Sequence, residues 1–470
     1  MEKANSAARK RDLTQGSVIY KLVMFSLPLI ASFLVMQLYN VADSIIVGNF
    51  VGPDALAAVS VSFPIMMFFN ALFMGVSTGA TVVISQFFGA KDKESLEKSS
   101  TTTFTLTIIV GIIITILGII LSKPLLHLLK TPDNIIDDAT LYLVIIFAGT
   151  LGNLIYAIGS GVLRGLGDSK WPLYFLIFCG VLNVGLNMLF VMAFRMGVAG
   201  VAWATLISQY LSGIFVYYRV NKGDYGIRFS FRNMKIDWAI AKLILKLGLP
   251  SGIQSMTMSL GSMIIQSFAN RFGSTFIAAN TSVMRTDGFA ILPMMAIGSA
   301  LTTFVGQNIG AGKIDRAKKG ITSALVIIIC IGLIMGVVMW FNGVYIIRAF
   351  TDDQSVQEIG SRGLRILAWF YSFMGLEFAF SGAMRGAGAS VAPMVTTLIA
   401  NLCRIPIAYF LAVVRDDYMG LFYSMVCSMI IGTTLIFLYY LKGNWRNKSI
   451  TRMINSQSQN GKTEEIISAD

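Results

Sequence analysis

Histidine occurs once in this 470-residue chain, at His127, and cysteine four times, at Cys179, Cys330, Cys403 and Cys427. No two cysteines are spaced Cys-x-x-Cys, and all four fall inside apolar runs. A zinc cluster, a disulfide framework and His-assisted nucleophilic catalysis each need more of these residues than the chain has. The expectation is no metal centre, no cofactor and no enzyme, with the cysteines as small buried apolar residues.

Charge is also scarce. Asp, Glu, Lys and Arg make up 13% of the chain, about half the share in soluble domains. The net charge of +13 raises the question of nucleic acid. Its carriers, however, are scattered through short loops between apolar runs rather than gathered on one patch, so no nucleic-acid partner is expected. Short segments of alternating polarity are missing, which excludes a β-barrel. A cleavable leader is not expected either, because the first apolar run is far too long for one.

What remains is apolar sequence, 55% of the chain, in runs long enough to cross a bilayer. Twelve spans are expected near residues 18–47, 54–85, 98–122, 136–160, 171–194, 197–219, 239–268, 275–306, 317–342, 356–382, 391–414 and 418–441. Alternate connecting segments hold 26 Lys and Arg residues, and the opposite set holds six. By the positive-inside rule both termini face the cytoplasm. The polar loop Arg219–Lys242 separates six spans from six. It divides the chain into a cytoplasmic segment 1–17, a first half 18–219, a linker 220–238, a second half 239–441 and a polar tail 442–470.

The two halves share sequence. "SGVLRGLGDSKWP" at 160–172 returns as "SGAMRGAGASVAP" at 381–393, 221 residues on. At the same offset Gly52 pairs with Gly273, Thr81 with Thr302, Gln86 with Gln307, and Gly89-Ala90 with Gly310-Ala311. One register held over this length implies duplication. Because each half has an even number of spans, the copies enter the membrane from the same side, as parallel repeats. In the repeated loop the glycines permit a tight turn, and the arginine can hold a lipid phosphate or cap a helix end. No strand precedes it, so a nucleotide cradle is not expected.

The fold class is therefore an all-α integral membrane protein of twelve transmembrane helices in two six-helix halves related by a parallel internal repeat. Ionisable groups inside spans are costly and mark function; here they are Asp43, Arg285, Asp287, Glu377 and Arg404. Gln37, Asn40, Asp43 and Ser44 form one stripe on span 1. A carboxylate so placed can carry a proton or ligate a cation. Asn183 and Asn187 share a face of span 5. Asn280 and Asp287 share a face of span 8, Gln254 lies in span 7, and Arg404 in mid-span 11 can serve as counter-ion to an acid. None of the acids has a counterpart: Asp43 maps onto Ile264, Asp287 onto Met66 and Glu377 onto Tyr156. Pro28, Pro64, Pro250 and Pro293 are candidate kinks.

The motifs "LYNVADSIIVG" (38–48), "ISQFFGAK" (84–91), "VLRGLGD" (162–168), "GVAGVAWATLISQ" (197–209), "TFVGQNIGAGK" (303–313) and "AMRGAG" (383–388) resemble those of the multidrug and toxic compound extrusion (MATE) family. The resemblance runs over about 17–441. It implies export of varied amphipathic, often cationic, small molecules across a bacterial cytoplasmic membrane, driven by Na⁺ or H⁺, by a chain acting as a monomer. It also implies cation coupling at the aspartate of "NVADS", Asp43, with Asn40, Asn183 and Asn187 beside it. A transient Na⁺ at Asp43 is the only metal expected. Where the family often has Asn-x-x-x-Asp, this chain has "NVGLN", with Asn187 in the aspartate's place; an amide can ligate Na⁺ but cannot exchange a proton. Gln37, Asp43, Asn280, Asp287 and Gln254 are the expected substrate contacts, and Glu377 and Arg404 the second-half candidates. The alternative is a flippase for lipid-linked oligosaccharides or lipids in the same wider superfamily. Twelve spans and several acids favour drug efflux.

Overall fold

The computed structural model describes residues 11–223, 225–230, 234–448 and 450. Among them there is no β-strand. The helices are α1 (Val18–Ile46), α2 (Pro53–Ala90), α3 (Lys93–Leu128), α4 (Asp133–Gly165), α5 (Lys170–Met188), α6 (Gly197–Lys222), α7 (Trp238–Ala269), α8 (Gly273–Gly310), α9 (Ile314–Arg348), α10 (Gln354–Ala368), α11 (Tyr371–Gly386), α12 (Val391–Ala408) and α13 (Gly420–Lys442). Their ends follow local chemistry. The Asp92 carboxylate accepts the Ser95 amide at 3.0 Å to start α3. Asp353 does the same for Ser355 at 2.8 Å at the start of α10, each satisfying an amide that the first turn leaves open.

Among the described residues ten helical stretches are long and apolar enough to cross a membrane, or 11 if α10 and α11 count as one span. One of the ten, Trp238–Gly310, covers 73 residues and consists of α7 and α8 joined by a 3₁₀ turn at Asn270–Phe272. The expected span 356–382 is not one straight helix, since α10 and α11 meet at 52°. No proline or glycine marks that break at Trp369–Phe370. The four prolines named as candidate kinks lie inside α1, α2, α7 and α8. Of the cysteines, only Cys179 is buried, and Cys330 is exposed.

The chain forms two compact units. Of the described residues, one takes Pro28–Gly252 with Arg11 and Asp12, and the other takes Leu13–Leu27 with those from Ile253 on. The division therefore falls inside α1 and α7, and the polar loop lies wholly in the first unit. In the first unit α4 is the hub, packing on α6, α2 and α3. Its buried Tyr142, Ile145 and Ile146 meet Val191, Val198 and Val201. In the second unit Phe276, Met294, Leu364, Tyr371 and Phe422 lie in one apolar cluster.

The second unit also clasps the start of the chain. The Leu13 amide donates to Gln307 Oε1 at 3.0 Å, and its carbonyl accepts from Asn308 Nδ2 at 3.3 Å and from Arg316 Nε at 3.2 Å. Lys313 Nζ donates to the Thr14 carbonyl at 2.9 Å and Arg316 Nη2 to that of Gln15 at 3.0 Å. The polar residues of "TFVGQNIGAGK" thus hold a peptide backbone.

The repeated "SGxxRGxG" stretch is mostly helix rather than loop, which corrects the turn reading for two of its three glycines. A Cβ on Gly161 would lie 2.8 Å from the Ser77 carbonyl oxygen of α2, and one on Gly165 2.9 Å from that of Thr81. In the second unit a Cβ on Gly382 would lie 2.1 Å from the Gly298 oxygen and one on Gly386 2.3 Å from that of Thr302. Each pair is a small-xxx-small contact that lets two backbones touch. Only Gly167 and Gly388 turn the chain, with φ of 80° and 90°. The arginines find protein partners: Arg164 Nη2 reaches Ser77 Oγ at 3.3 Å and Arg385 Nε the Ser381 carbonyl at 3.2 Å.

Conformation recurs 221 residues apart. Positive φ occurs at Gly52 and Gly273, at Lys91 and Gly312, and at Arg195 and Asp416. Thr81 Oγ1 donates to the Gly161 carbonyl at 2.9 Å and Thr302 Oγ1 to the Gly382 carbonyl at 3.1 Å. A π-helical turn ends α5 at Leu189–Ala193, and another follows α12 at Tyr409–Val414.

Candidate functional site

In the first unit α1, α5 and α6 bring one carboxylate, two amides and two hydroxyls together. Asn183 and Asn187 are one turn apart on α5 and fully buried. Asn187 Nδ2 donates to Asp43 Oδ1 at 2.7 Å and to Asn183 Oδ1 at 2.8 Å. Asn183 Nδ2 reaches Thr205 Oγ1 of α6 at 3.3 Å. With the Asn183 amide turned over, its nitrogen stands 3.1 Å from Asp43 Oδ1 and its oxygen 3.2 Å from the Thr205 amide. Tyr39, one turn before Asp43, lies within electrostatic reach of Asp43 and Thr205. The Asn187 Oδ1 atom is buried without a partner, an arrangement that normally costs about 1–3 kcal/mol. A carboxylate, amide oxygens and a hydroxyl are hard donors suited to a small hard cation.

Of the residues expected at the cation-coupling site, the structure brings Asp43, Asn183 and Asn187 together. The side chains of Asn40 and Ser44 lie outside the described residues. Gln37 is half-buried on the same helix and makes no hydrogen bond to the other three. Thr205 and Tyr39 escaped notice: both sit within the quoted motifs, but hydroxyls are ordinary in membrane helices, and only packing across helices singles them out.

The second unit holds two separate acidic sites. Asp287 on α8 is 3% exposed. Its Oδ1 accepts the hydroxyl of Tyr371, which is fully buried at the start of α11, and its Oδ2 has no partner. Arg404 of α12 lies within electrostatic reach, yet no ion pair joins the two among the described residues. The counter-ion expectation therefore becomes proximity without contact, and Arg404 Nε is itself buried and unpartnered. Arg285 points away, exposed on the other side of α8.

Glu377 belongs to the other site. Its Oε1 accepts from Thr397 Oγ1 of α12 at 3.1 Å, and Thr397 in turn accepts from Gln254 Nε2 of α7 at 2.9 Å. On α13, Gly432 leaves room for this carboxylate, since a Cβ there would lie 2.8 Å from Oε2. Gln254, one of the expected substrate contacts, thus reaches Glu377 through Thr397. Asn280 also stands apart from Asp287: its Nδ2 faces Gln266 Oε1 at 3.5 Å. The seven-residue spacing gave the right face of α8, but the nearest polar group lay across on α7.

Comparison with known proteins agrees with this architecture. The MatE family model matches residues 28–189 and again 250–410. The chain is 35% identical over 437 residues to the "Probable multidrug resistance protein YpnP" of Bacillus subtilis, covering 93% of this chain and 97% of that protein. It is 26% identical over 440 residues to the "Probable multidrug resistance protein NorM" of Thermotoga maritima, covering 92% and 94%. Among solved structures, a MOP superfamily transporter from Pyrococcus furiosus superimposes with a TM-score of 0.85 at 26% identity, covering 91% of this chain and 96% of that one.

Proposed function

The chain belongs to the MatE family, and from that premise we propose that it is a multidrug efflux antiporter, exporting amphipathic, often cationic compounds in exchange for Na⁺ or H⁺ by alternating access. The observation that carries the coupling proposal is the buried Asp43–Asn187–Asn183–Thr205 cluster with its unpartnered Asn187 oxygen. Asp43 supplies the only formal charge in that cluster. Asn183, Asn187 and Thr205 supply neutral oxygens for a Na⁺, or orient the carboxylate for a proton. We assign Asp287 to the charge of a cationic cargo: it is the second unit's buried carboxylate with an open oxygen.

Twelve crossings in two parallel repeats form part of the proposal. A 73-residue stretch would be about 110 Å long as one helix, over three times a ~30 Å bilayer core, so it reads as two crossings. The recurrence of φ, threonine bonds and π-helical turns at an offset of 221 supports the repeat. We further assign the protein to the bacterial cytoplasmic membrane, with both termini in the cytoplasm and the monomer as the working unit. The 26-to-six bias of basic residues supports that orientation. Efflux of a cationic dye from everted vesicles, with Na⁺ and pH gradients imposed separately, tests the function. Accumulation driven by one gradient is the expected result. No response to either gradient refutes antiport.

A further inference from the structure

A groove of about 410 Å³ opens on the second unit between α9 and α10, lined by Val344, Gln354, Glu358, Ser361, Arg362 and Arg365 among others. Glu358, Arg362 and Arg365 are exposed. At spacings of four and three residues they share one face of α10. None of the three makes an ion pair among the described residues. Two guanidinium groups and a carboxylate thus stand unspent in one groove.

The level of the groove is set by its surroundings. On α9, Trp340 comes 21 residues after Lys319, about 32 Å along the helix and close to the thickness of a bilayer's hydrocarbon core. Trp340 packs on Trp369 with ring centroids 5.7 Å apart. Paired tryptophans at that distance from a lysine cluster fit the aromatic belt of the opposite membrane surface. Phe341 and Tyr345 on α9 are 71% and 70% exposed, an aromatic flank at and just outside the level of Trp340. Arg362 and Arg365 lie within about two turns of Trp369, at headgroup level.

We propose that this groove is a binding site for an aminophospholipid, phosphatidylethanolamine. The inference rests on the membrane-spanning reading but not on the antiport one. Its basis is the order of charge along α10. Going from the water-facing start of the helix toward Trp369, the chain presents Glu358, then Arg362, then Arg365, over about 10 Å. The lipid presents its groups in the same order: ammonium outermost, phosphate next, acyl chains below. A guanidinium pair suits a phosphate, which it can grip with planar N–H donors. The carboxylate suits a primary ammonium, which offers three N–H donors. Phosphatidylcholine carries the same charges but no N–H on its amine, and phosphatidylglycerol has no amine. The site therefore distinguishes three common headgroups by chemistry alone.

The test is native mass spectrometry of the full chain released from detergent, titrated with each of the three lipids. Wild type is expected to retain phosphatidylethanolamine over the other two. Glu358→Gln should erase that preference while leaving phosphatidylglycerol binding intact. Arg362→Gln with Arg365→Gln should weaken both lipids by about tenfold or more, given the usual strength of a basic side chain at an anionic surface. Glu358→Arg should turn the preference toward phosphatidylglycerol. All three positions are exposed, and the lipid-free melting temperature of each variant checks the fold. Undiminished phosphatidylethanolamine binding in the double arginine variant overturns the proposal, as does a wild-type preference for phosphatidylglycerol.

Discussion

Gly382 on α11 is the position where a single methyl group should do most harm. A Cβ there would stand 2.1 Å from the Gly298 carbonyl oxygen, 2.8 Å from its carbon and 3.2 Å from its Cα. All three are backbone atoms of α8, so no rotamer change relieves the clash. Restoring ordinary contact at roughly 3.4 Å needs the helices to part by about 1 Å. That movement stretches the bond from Thr302 Oγ1 to the Gly382 carbonyl at 3.1 Å, while its bond to the Gly298 carbonyl within α8 is kept. Overpacking at about 1–3 kcal/mol plus one weakened hydrogen bond at about 1 kcal/mol puts Gly382→Ala near 2–4 kcal/mol destabilising. In contrast, Gly180 on α5 has nothing within 4 Å of its Cβ direction. Gly180→Ala should gain the roughly 0.5–1 kcal/mol by which Ala exceeds Gly in a helix. Gly161→Ala should fall between, because the nearest atom, Ser77 Oγ at 2.6 Å, can rotate away while the Ser77 carbonyl at 2.8 Å cannot. Thermal unfolding in detergent, followed by tryptophan fluorescence, should rank the variants Gly180→Ala, wild type, Gly161→Ala, Gly382→Ala from most to least stable. A Gly382→Ala protein that melts with wild type refutes the close-approach reading.

Asp43→Asn should insert normally and lose nearly all gradient-driven efflux for cationic and neutral dyes alike; wild-type transport ends its coupling role. Asp287→Asn should weaken binding of a cationic dye about tenfold more than that of a matched neutral one, the value of a charge-assisted contact in a partly dry site, and equal losses would remove the cargo-charge assignment. Arg316→Ala deletes three bonds to the Leu13 and Gln15 carbonyls, so hydrogen exchange at the Leu13 amide should quicken by about tenfold or more; unchanged protection means the clasp does not hold the segment. Tyr225, outside the membrane helices, donates to Asp168 Oδ2 at 2.7 Å, and burial, with Asp168 beside it, pushes the phenol above its ordinary value. Its folded pKa exceeds the unfolded ~10, so the stability it adds is full below pH 10 and fades as pH rises past it. Tyr225→Phe should cost about 1.5–3 kcal/mol at neutral pH and flatten the alkaline loss; an unaltered alkaline profile refutes the linkage.

Asp43 and the Asn183–Asn187 pair were legible because charge and paired amides are rare in apolar helices and their spacing fixes a shared face. Thr205, Tyr371 and Thr397 were not, since hydroxyl residues are frequent in such helices and bond their own backbone as readily, as Thr205 does with the Val201 carbonyl at 3.0 Å. The glycines of the repeated stretch were read in the right place with the wrong emphasis. Sequence cannot tell a glycine that turns the chain, such as Gly167, from one that lets a neighbouring backbone approach, such as Gly161. The bend between α10 and α11 left no mark because neither proline nor glycine makes it. The division of α1 at Pro28 and of α7 after Gly252 falls at or beside two candidate kinks, Pro28 and Pro250, but a proline does not say which unit each side of it joins.

The same physics accounts for what the proposed repeat keeps and what it lets go. At Gly161 and Gly382 the neighbour is backbone, which no compensating substitution can shrink, so both copies retain glycine. The threonine that bonds across each contact, Thr81 or Thr302, is retained with it. Asp43, Asp287 and Glu377 meet side chains instead, and side chains can change together. Where the second unit has Glu377 over Thr397, the first has Tyr156, whose hydroxyl donates to the Pro172 carbonyl at 3.2 Å, and Leu176. On that proposal the carboxylate and its hydroxyl partner differ together between the halves, while the helix crossing beneath is alike in both. Two halves sharing one scaffold can therefore carry different polar sites, as a separate ion site and cargo-charge site require.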